Sequence, residues 1–310
     1  MQFLNSPAPL LAIVGPTAVG KTELALELAE RLNGEIVSAD SRLFYRGMDI
    51  GTAKPTLAER QRVPHHLIDV TDPGDHWTLT IFQAAATQAI ADIHARGRLP
   101  LLVGGTGQYV WAVIQGWTPP EQDPDPALRE VLERWGRQIG PEELHRRLRR
   151  LDPDAARRIE SRNLRRTVRA LEVIFTTGQR FSAQQRRTGS PYNVRILGLQ
   201  RPRPELYARI DARIEAMLAA GLVQEVQALL DAGCPDDAPA LSAIGYREIR
   251  AHLQGRLSLV EAVVEMKRLT RQFVRRQGNW FKADDPQIAW FDAGRTSAAE
   301  LETQIRSWEV

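Results

Sequence analysis

The chain has 310 residues, 43% of them hydrophobic and 25% charged, with a formal net charge of +3. Such a chain is expected to be globular, with one large core and room for a second unit. No apolar run approaches the roughly 18 residues of a membrane helix, residues 1–9 lack the basic start of a signal peptide, and the single cysteine, Cys234, leaves no partner for a disulfide or a multi-cysteine zinc site. Reducing cytoplasm is therefore the expected location.

Residues 10–14 are an apolar run broken at Gly15, which reads as a buried strand entering a loop. Leu24, Leu28 and Leu32 repeat at four and predict a helix, with Asn33-Gly34 as its stop. Further strands are expected at 35–38, ending near Asp40, and at 66–70. Phe82, Ala86, Ile90 and Ile93 mark one face of a helix that Gly97 ends. The run 99–103 predicts a fourth strand, closed by Gly104-Gly105. Strands alternating with helices predict an α/β fold, a parallel sheet covered by helices on both faces.

The texture changes at Pro119-Pro120 and Asp123-Pro124-Asp125-Pro126, a proline-rich boundary. From 126 to 179 the pattern is helical, without strand alternation. Three segments are expected: 1–118 as the first part of the core, 119–190 as an all-helical, arginine-rich insertion, and 191–310 as the second part. The last should hold a strand at 192–199, long helices at 206–230 and 259–280, and an edge strand at 288–291.

Gly15-Pro16-Thr17-Ala18-Val19-Gly20-Lys21-Thr22 is a complete G-x-x-x-x-G-K-[ST] phosphate loop, between a predicted strand and a predicted helix. Its amides and the helix N-terminus suit phosphate oxygens. Lys21 adds a full charge, and the Thr22 hydroxyl can help hold Mg²⁺. The motif specifies a polyphosphate; ATP is the commonest occupant, and a diphosphate ester fits the same cradle. Asp40 stands at a strand's carboxyl end, where parallel sheets carry their ligands.

Positive charge is concentrated in two places, consistent with a sequence pI of about 9.2. Residues 144–190 contain 13 Arg and no Lys against 4 Asp plus Glu, and residues 267–282 contain 6 Lys plus Arg and no acid. Arg158, Arg162, Arg165, Arg166 and Arg169 share a broad helical face. Lys267, Arg271 and Arg275 repeat at four, and Gln272 and Gln277 lie within reach of bases or phosphates on that helix. Such basic stripes suit nucleic acid. Trp280 and Phe281 suit base stacking or the core. His65 and His66 lack metal-ligand spacing and read as structural or channel residues.

The phosphate loop, Asp40-Ser41-Arg42-Leu43, Gly51-Thr52-Ala53-Lys54-Pro55, Pro64-His65-His66, Gly104-Gly105-Thr106-Gly107, Ile244-Gly245-Tyr246 and Thr270-Arg271-Gln272-Phe273 follow one another in an order that resembles the tRNA dimethylallyltransferase family, over residues 10–292. Departures fall at Leu43, Gln108 and Phe273, away from the phosphate loop, Asp40 and Thr106. The resemblance implies a P-loop NTPase-like sheet. It implies transfer of a dimethylallyl group from dimethylallyl diphosphate to the exocyclic amine of the adenosine 3′ of the anticodon. Residues 15–22 and Arg209 would hold the diphosphate with Mg²⁺ at Thr22; Arg213, four residues on, is a further candidate. Asp40 would be the general base and Thr106 would lie beside the reacting amine, with Lys21 stabilising the leaving group. Asp40, Ser41, Arg42, Leu43, Asn163, Arg165, Arg166, Gly245, Tyr246, Arg271, Gln272 and Arg275 would meet tRNA. Donor and flipped base would enter one channel from opposite ends. The implied partners are the anticodon stem-loop of tRNA and dimethylallyl diphosphate, with no membrane, the chain acting as a cytoplasmic monomer.

Three other readings share parts of this pattern. A small-molecule kinase explains the loop but not the basic tracts. A nucleic-acid-binding ATPase without transfer chemistry explains both, but Gly104-Gly105-Thr106 stands where its acidic strand end is usual. Prenylation of a free adenine nucleotide needs no arginine-rich surface.

Overall fold

Leu10, Leu11, Ala12, Ile13 and Val14 have no accessible surface, so the strand β1 (Ala8–Val14) must be covered on both faces. The computed structural model describes residues 7–118, 125–184, 186–187 and 189–307; the first six residues and most of the proline-rich boundary (119–124) lie outside them. After β1 come α1 (Lys21–Arg31), β2 (Gly34–Ser38), α2 (Leu57–Arg62), β3 (His65–His66), α3 (Leu79–Ala95), β4 (Leu99–Gly104) and α4 (Gly107–Ile114). The next stretch holds β5 (Trp117–Thr118), α5 (Pro126–Ile139), α6 (Pro141–Leu151), α7 (Pro153–Arg158), α8 (Leu164–Thr177), α9 (Phe181–Gln184) and β6 (Arg186–Arg187). The chain then continues through β7 (Tyr192–Gln200), α10 (Arg203–Ala219), α11 (Leu222–Asp231), a 3₁₀ turn (Ala240–Ser242), α12 (Tyr246–Leu253), α13 (Leu259–Gly278), β8 (Ile288–Asp292) and α14 (Ala298–Arg306).

Two compact units result, one of Met1–Ile114 with Ser190–Val310 and one of Gln115–Gly189. The first holds a six-stranded parallel sheet in the order β3-β2-β4-β1-β7-β8. Register Val14↔Gly104 and Ser38↔Val103 brings the carboxyl ends of β1, β4 and β2 level. The phosphate loop, Thr106 and Asp40 therefore leave the sheet at one edge, where open α/β sheets place their ligands. The predicted face Phe82, Ala86, Ile90 and Ile93 is the buried face of α3.

Two expected elements are corrected. The strand expected at 66–70 is only two residues long, because Leu67 (φ 62°) and Asp69 (φ 56°) turn the chain through left-handed conformations. Asp69 leaves the sheet to accept from the buried Lys54 Nζ (2.5 Å) and from Arg60 (2.8 Å). The single helix expected at 206–230 is two, α10 and α11, separated at Gly221 (φ 100°), a conformation that favours glycine.

In the second unit α5, α6 and α8 bury Leu132, Leu144, Leu148, Val168 and Leu171 together. Beside its helices, β5 and β6 pair antiparallel, Trp117 opposite Arg187, where the chain enters and leaves. Glu172 on α8 has no accessible surface, accepts from Arg129 Nη2 (2.8 Å) and the Asp125 amide (2.8 Å) and forms an ion pair with Arg169 Nη1 (3.0 Å), fastening α8 to the start of α5. Burial alone would raise its pKa, but these bonds hold it below the ordinary carboxylate value of 4.5. The carboxylate thus stabilises the unit above pH 4.5, and this contribution is lost as pH falls through its lower folded value. Arg129 and Arg169 are partly exposed and can turn to water, so Glu172→Ala is expected to cost about 1–3 kcal/mol rather than the full penalty of a stranded buried charge. Hydrogen exchange along α8 of the full chain checks this, since unchanged protection means Glu172 holds nothing together.

Candidate active site

The phosphate loop is held from outside by cations. Arg201, at the end of β7, donates to Val19 O (2.9 Å) and Ala293 O (2.6 Å), and Arg209 on α10 donates to Ala18 O (2.9 Å). Lys21 Nζ donates to Gly15 O (3.0 Å) and Pro16 O (2.8 Å) within the loop. These bonds fix the path of the loop, whose amides other than that of Thr17, bonded to Gln277 Oε1 (2.9 Å), are the anion donors such a turn supplies. Burial pushes the Lys21 ammonium down to about 8 against the pull of the Asp40 charge, and Arg213 lowers it further. Arg213 donates to Thr52 O (3.4 Å).

Thr17, Lys21, Thr22, Asp40, Arg209 and Arg213 line one cavity of about 730 Å³. Four cations, Lys21, Arg62, Arg209 and Arg213, and four carboxylates, Glu23, Glu27, Asp40 and Glu59, line it, a mixed lining that suits a phosphate group bound together with a cation. Asp40 Oδ1 accepts the Arg42 amide (3.0 Å), closing an Asx turn that fixes the carboxylate. The next residue, Ser41, donates its amide to Thr106 Oγ1 (3.3 Å). The Thr106 hydroxyl thus serves the Asp40 turn, while its carbonyl accepts the Tyr109 amide (2.9 Å) at the start of α4. Asp40, Thr106, Lys21 and Thr22, predicted from separate parts of the sequence, gather at one sheet edge. Among the described residues no group of three or more His, Cys, Asp or Glu forms a metal site. The oxygens of Thr22 and Asp40 in this cavity fit Mg²⁺ held mainly by substrate phosphates, a usual mode for that ion.

A family model described as IPP transferase matches residues 43–284. A tRNA dimethylallyltransferase from Roseiflexus castenholzii is 57% identical over 274 residues, covering 88% of this chain and 90% of that relative. One from Thermomicrobium roseum is 52% identical over 289 residues, covering 93% and 88%. The chain belongs to the tRNA dimethylallyltransferase family. Among solved structures, the tRNA isopentenylpyrophosphate transferase of Bacillus halodurans is 42% identical and superposes with a TM-score of 0.72 over 97% of this chain and 96% of that one. A eukaryotic dimethylallyltransferase solved acting on tRNA is 28% identical, with a TM-score of 0.78 over 97% of this chain and 77% of that one.

In this dimethylallyltransferase, the residues expected to meet tRNA fall into three groups. Arg165 and Arg166 are exposed on the first turn of α8, and Asn163 caps that helix, its Oδ1 accepting the Arg166 amide (3.2 Å). Arg275 on α13 is exposed, and Leu43 and Gln272 are half-buried. Other cations are engaged within the protein: Arg42 donates to Pro239 O (3.1 Å) and Ser242 Oγ (3.4 Å), and Arg271 to Asp211 (2.6 Å) while lying 5.4 Å over the Tyr207 ring. Lys267, on the same predicted face, binds Glu215 (2.9 Å). Acids on α10 thus balance two of the three cations of that stripe.

Gly245 and Tyr246 require correction. Tyr246 has no accessible surface, and its hydroxyl donates to Glu225 (2.5 Å). Glu225 in turn accepts the amides of Asp49 (2.8 Å), Ile50 (2.7 Å) and Gly51 (3.1 Å). Burial and the Glu225 carboxylate push the phenol well above its ordinary range, so it stays a donor. The buried Gly245 places its amide on Glu248 (2.8 Å). Tyr246, through Glu225, shapes the loop that carries Thr52 into the cavity, and neither Tyr246 nor Gly245 faces solvent. Gln277 is likewise not free for a base: it is buried and bonds the Thr17 amide (2.9 Å) and Gly105 O (3.0 Å). Sequence reasoning missed Arg201 and Glu225 altogether; the position of Arg201 just past a predicted strand was the one available signal.

Proposed function

We propose that the chain transfers a dimethylallyl group from dimethylallyl diphosphate to the exocyclic amine (N6) of the adenosine 3′-adjacent to the anticodon of tRNA, releasing diphosphate. The observation that carries this reading is that Asp40 lines the phosphate-loop cavity while its own turn is tied to Thr106. A carboxylate beside a diphosphate cradle serves alkyl transfer, in which one group takes a proton and another accepts a leaving anion.

The adenine amine attacks the allylic C1, the C1–O bond breaks, and its electron pair leaves with the diphosphate. Charge growing on that leaving group meets Lys21, the loop amides, Arg209 and Arg213. The Thr22 hydroxyl and, through water, Asp40 would hold Mg²⁺, whose charge offsets that of the diphosphate. The amine proton passes to Asp40, whose hydrogen bond also aims the nitrogen lone pair. Thr106 keeps the Asp40 turn beside the reacting atoms. The acceptor base must leave its stack to enter, at a cost of a few kcal/mol in a single-stranded loop.

Exposed Arg165 and Arg166 supply phosphate contacts for the tRNA. Replacing both with alanine is expected to weaken tRNA binding and to lower the slope of log K against log salt by about 1.4–1.8 if each neutralises one phosphate. Filter binding across a salt series measures this, and an unchanged slope takes the two arginines out of the interface. The same reading has the enzyme act as a cytoplasmic monomer, and no helix among the described residues is long and apolar enough to cross a membrane.

Incubation with Mg²⁺, dimethylallyl diphosphate and unmodified tRNA, followed by mass spectrometry of the nucleosides, tests the reaction. A five-carbon gain on that adenosine is expected. ATP turnover without such a gain would replace this reading with a kinase or ATPase.

A further inference from the structure

We propose that Gln277 is a positioning residue that couples the diphosphate cradle to the Thr106 loop, so that leaving group and acceptor amine are held at one fixed separation. The proposal rests on the transfer reaction proposed above for its catalytic consequence, and on geometry alone for the clamp itself.

Gln277 lies in the last turn of α13 and is 4% exposed. Its Oε1 accepts the Thr17 amide of the phosphate loop (2.9 Å), and its Nε2 donates to Gly105 O, the residue before Thr106 (3.0 Å). One buried amide therefore joins two loops that follow different strands, β1 and β4. The close approach requires glycine at 105, since a Cβ there would overlap Gln277 Nε2. The helix end is itself fixed, because Trp111 Nε1 on α4 donates to Trp280 O (3.0 Å) and Phe281 is buried. A rigid support of this kind is what a site needs when reacting atoms must be held within a fraction of an ångström.

The two ends of the amide serve different partners, and this makes the clamp separable from simple packing. Gln277→Met keeps the length and apolar stem but removes both bonds. Gln277→Glu keeps an acceptor for the Thr17 amide and sets an oxygen against the Gly105 carbonyl. In the full chain, calorimetry with inorganic diphosphate is expected to show about tenfold weaker binding for Gln277→Met, the order of one buried hydrogen bond. Gln277→Glu is expected to retain most of that affinity. In the transfer assay both variants are expected to lose about tenfold in kcat with tRNA affinity unchanged, since each frees the Thr106 loop.

Equal loss of diphosphate affinity in the two variants, in step with a lower Tm, would mean Gln277 only packs the core and would overturn the proposal. So would unchanged diphosphate affinity in Gln277→Met, or a loss confined to tRNA binding. If Gln277→Met does not fold, Gly105→Ala disturbs the clamp from its other side and is read by the same calorimetry. A wild-type enzyme that binds diphosphate but transfers nothing would remove the proposed reaction while leaving the clamp to the calorimetric result.

Discussion

Asp40→Asn is expected to slow transfer by about 10²–10⁴-fold, the usual contribution of a positioned general base, while tRNA and diphosphate affinities stay within a few-fold. Asparagine keeps the side-chain oxygen that accepts the Arg42 amide, so the Asx turn and the Ser41–Thr106 bond survive. What disappears is the capacity to take a proton and the negative charge beside Lys21. A single-turnover rate at saturating donor and tRNA isolates the chemical step, and filter binding reports the tRNA affinity. A rate within threefold of wild type would remove Asp40 from the chemistry and leave it a turn residue.

The second large effect is at Lys21. Lys21→Met is expected to lower kcat/KM for the donor by about 10²–10³-fold, comparable to losing one strong donor to a developing anion. The stem packs as before; the ammonium is lost. The wild-type enzyme should show a related pH dependence. The Lys21 ammonium of the free enzyme is charged below about pH 8, where burial has pushed its pKa, and neutral above. Donor kcat/KM, which reports the free enzyme, should therefore hold below pH 8 and fall above it. In Lys21→Met that alkaline limb should be missing. If it persists unchanged, another group carries it and the assignment to Lys21 is wrong.

Sequence patterns served well where local chemistry is self-sufficient. The phosphate loop is legible because its glycines, Lys21 and Thr22 are consecutive and their geometry follows from one strand–loop–helix turn. Strands β1 and β4 are legible because both faces are buried, leaving unbroken apolar runs. Helix α3 shows its buried face in the spacing of Phe82, Ala86, Ile90 and Ile93. The pattern failed where left-handed residues decide the path, as at Leu67 and Asp69, and where Gly221 splits a run that is helical on both sides.

The side-chain roles divide in the same way. Sequence by itself determined which residue types stand at the carboxyl ends of the strands: Lys21 and Thr22 after β1, Asp40 after β2, Thr106 after β4. Those positions follow from strand order and loop length, which are local properties of the chain. The tertiary structure alone decided which polar groups face a ligand and which face the protein. Tyr246, Arg271 and Gln277 looked equally available in one dimension. In the fold Tyr246 is bonded to Glu225, Arg271 to Asp211 and Gln277 to Thr17 and Gly105, partners between 21 and 260 residues away. Tyr246 and Gln277 are buried, where a polar group without a partner is costly, and each has one. Such partners are supplied by whatever element packs against the group, and no pattern along the chain records that.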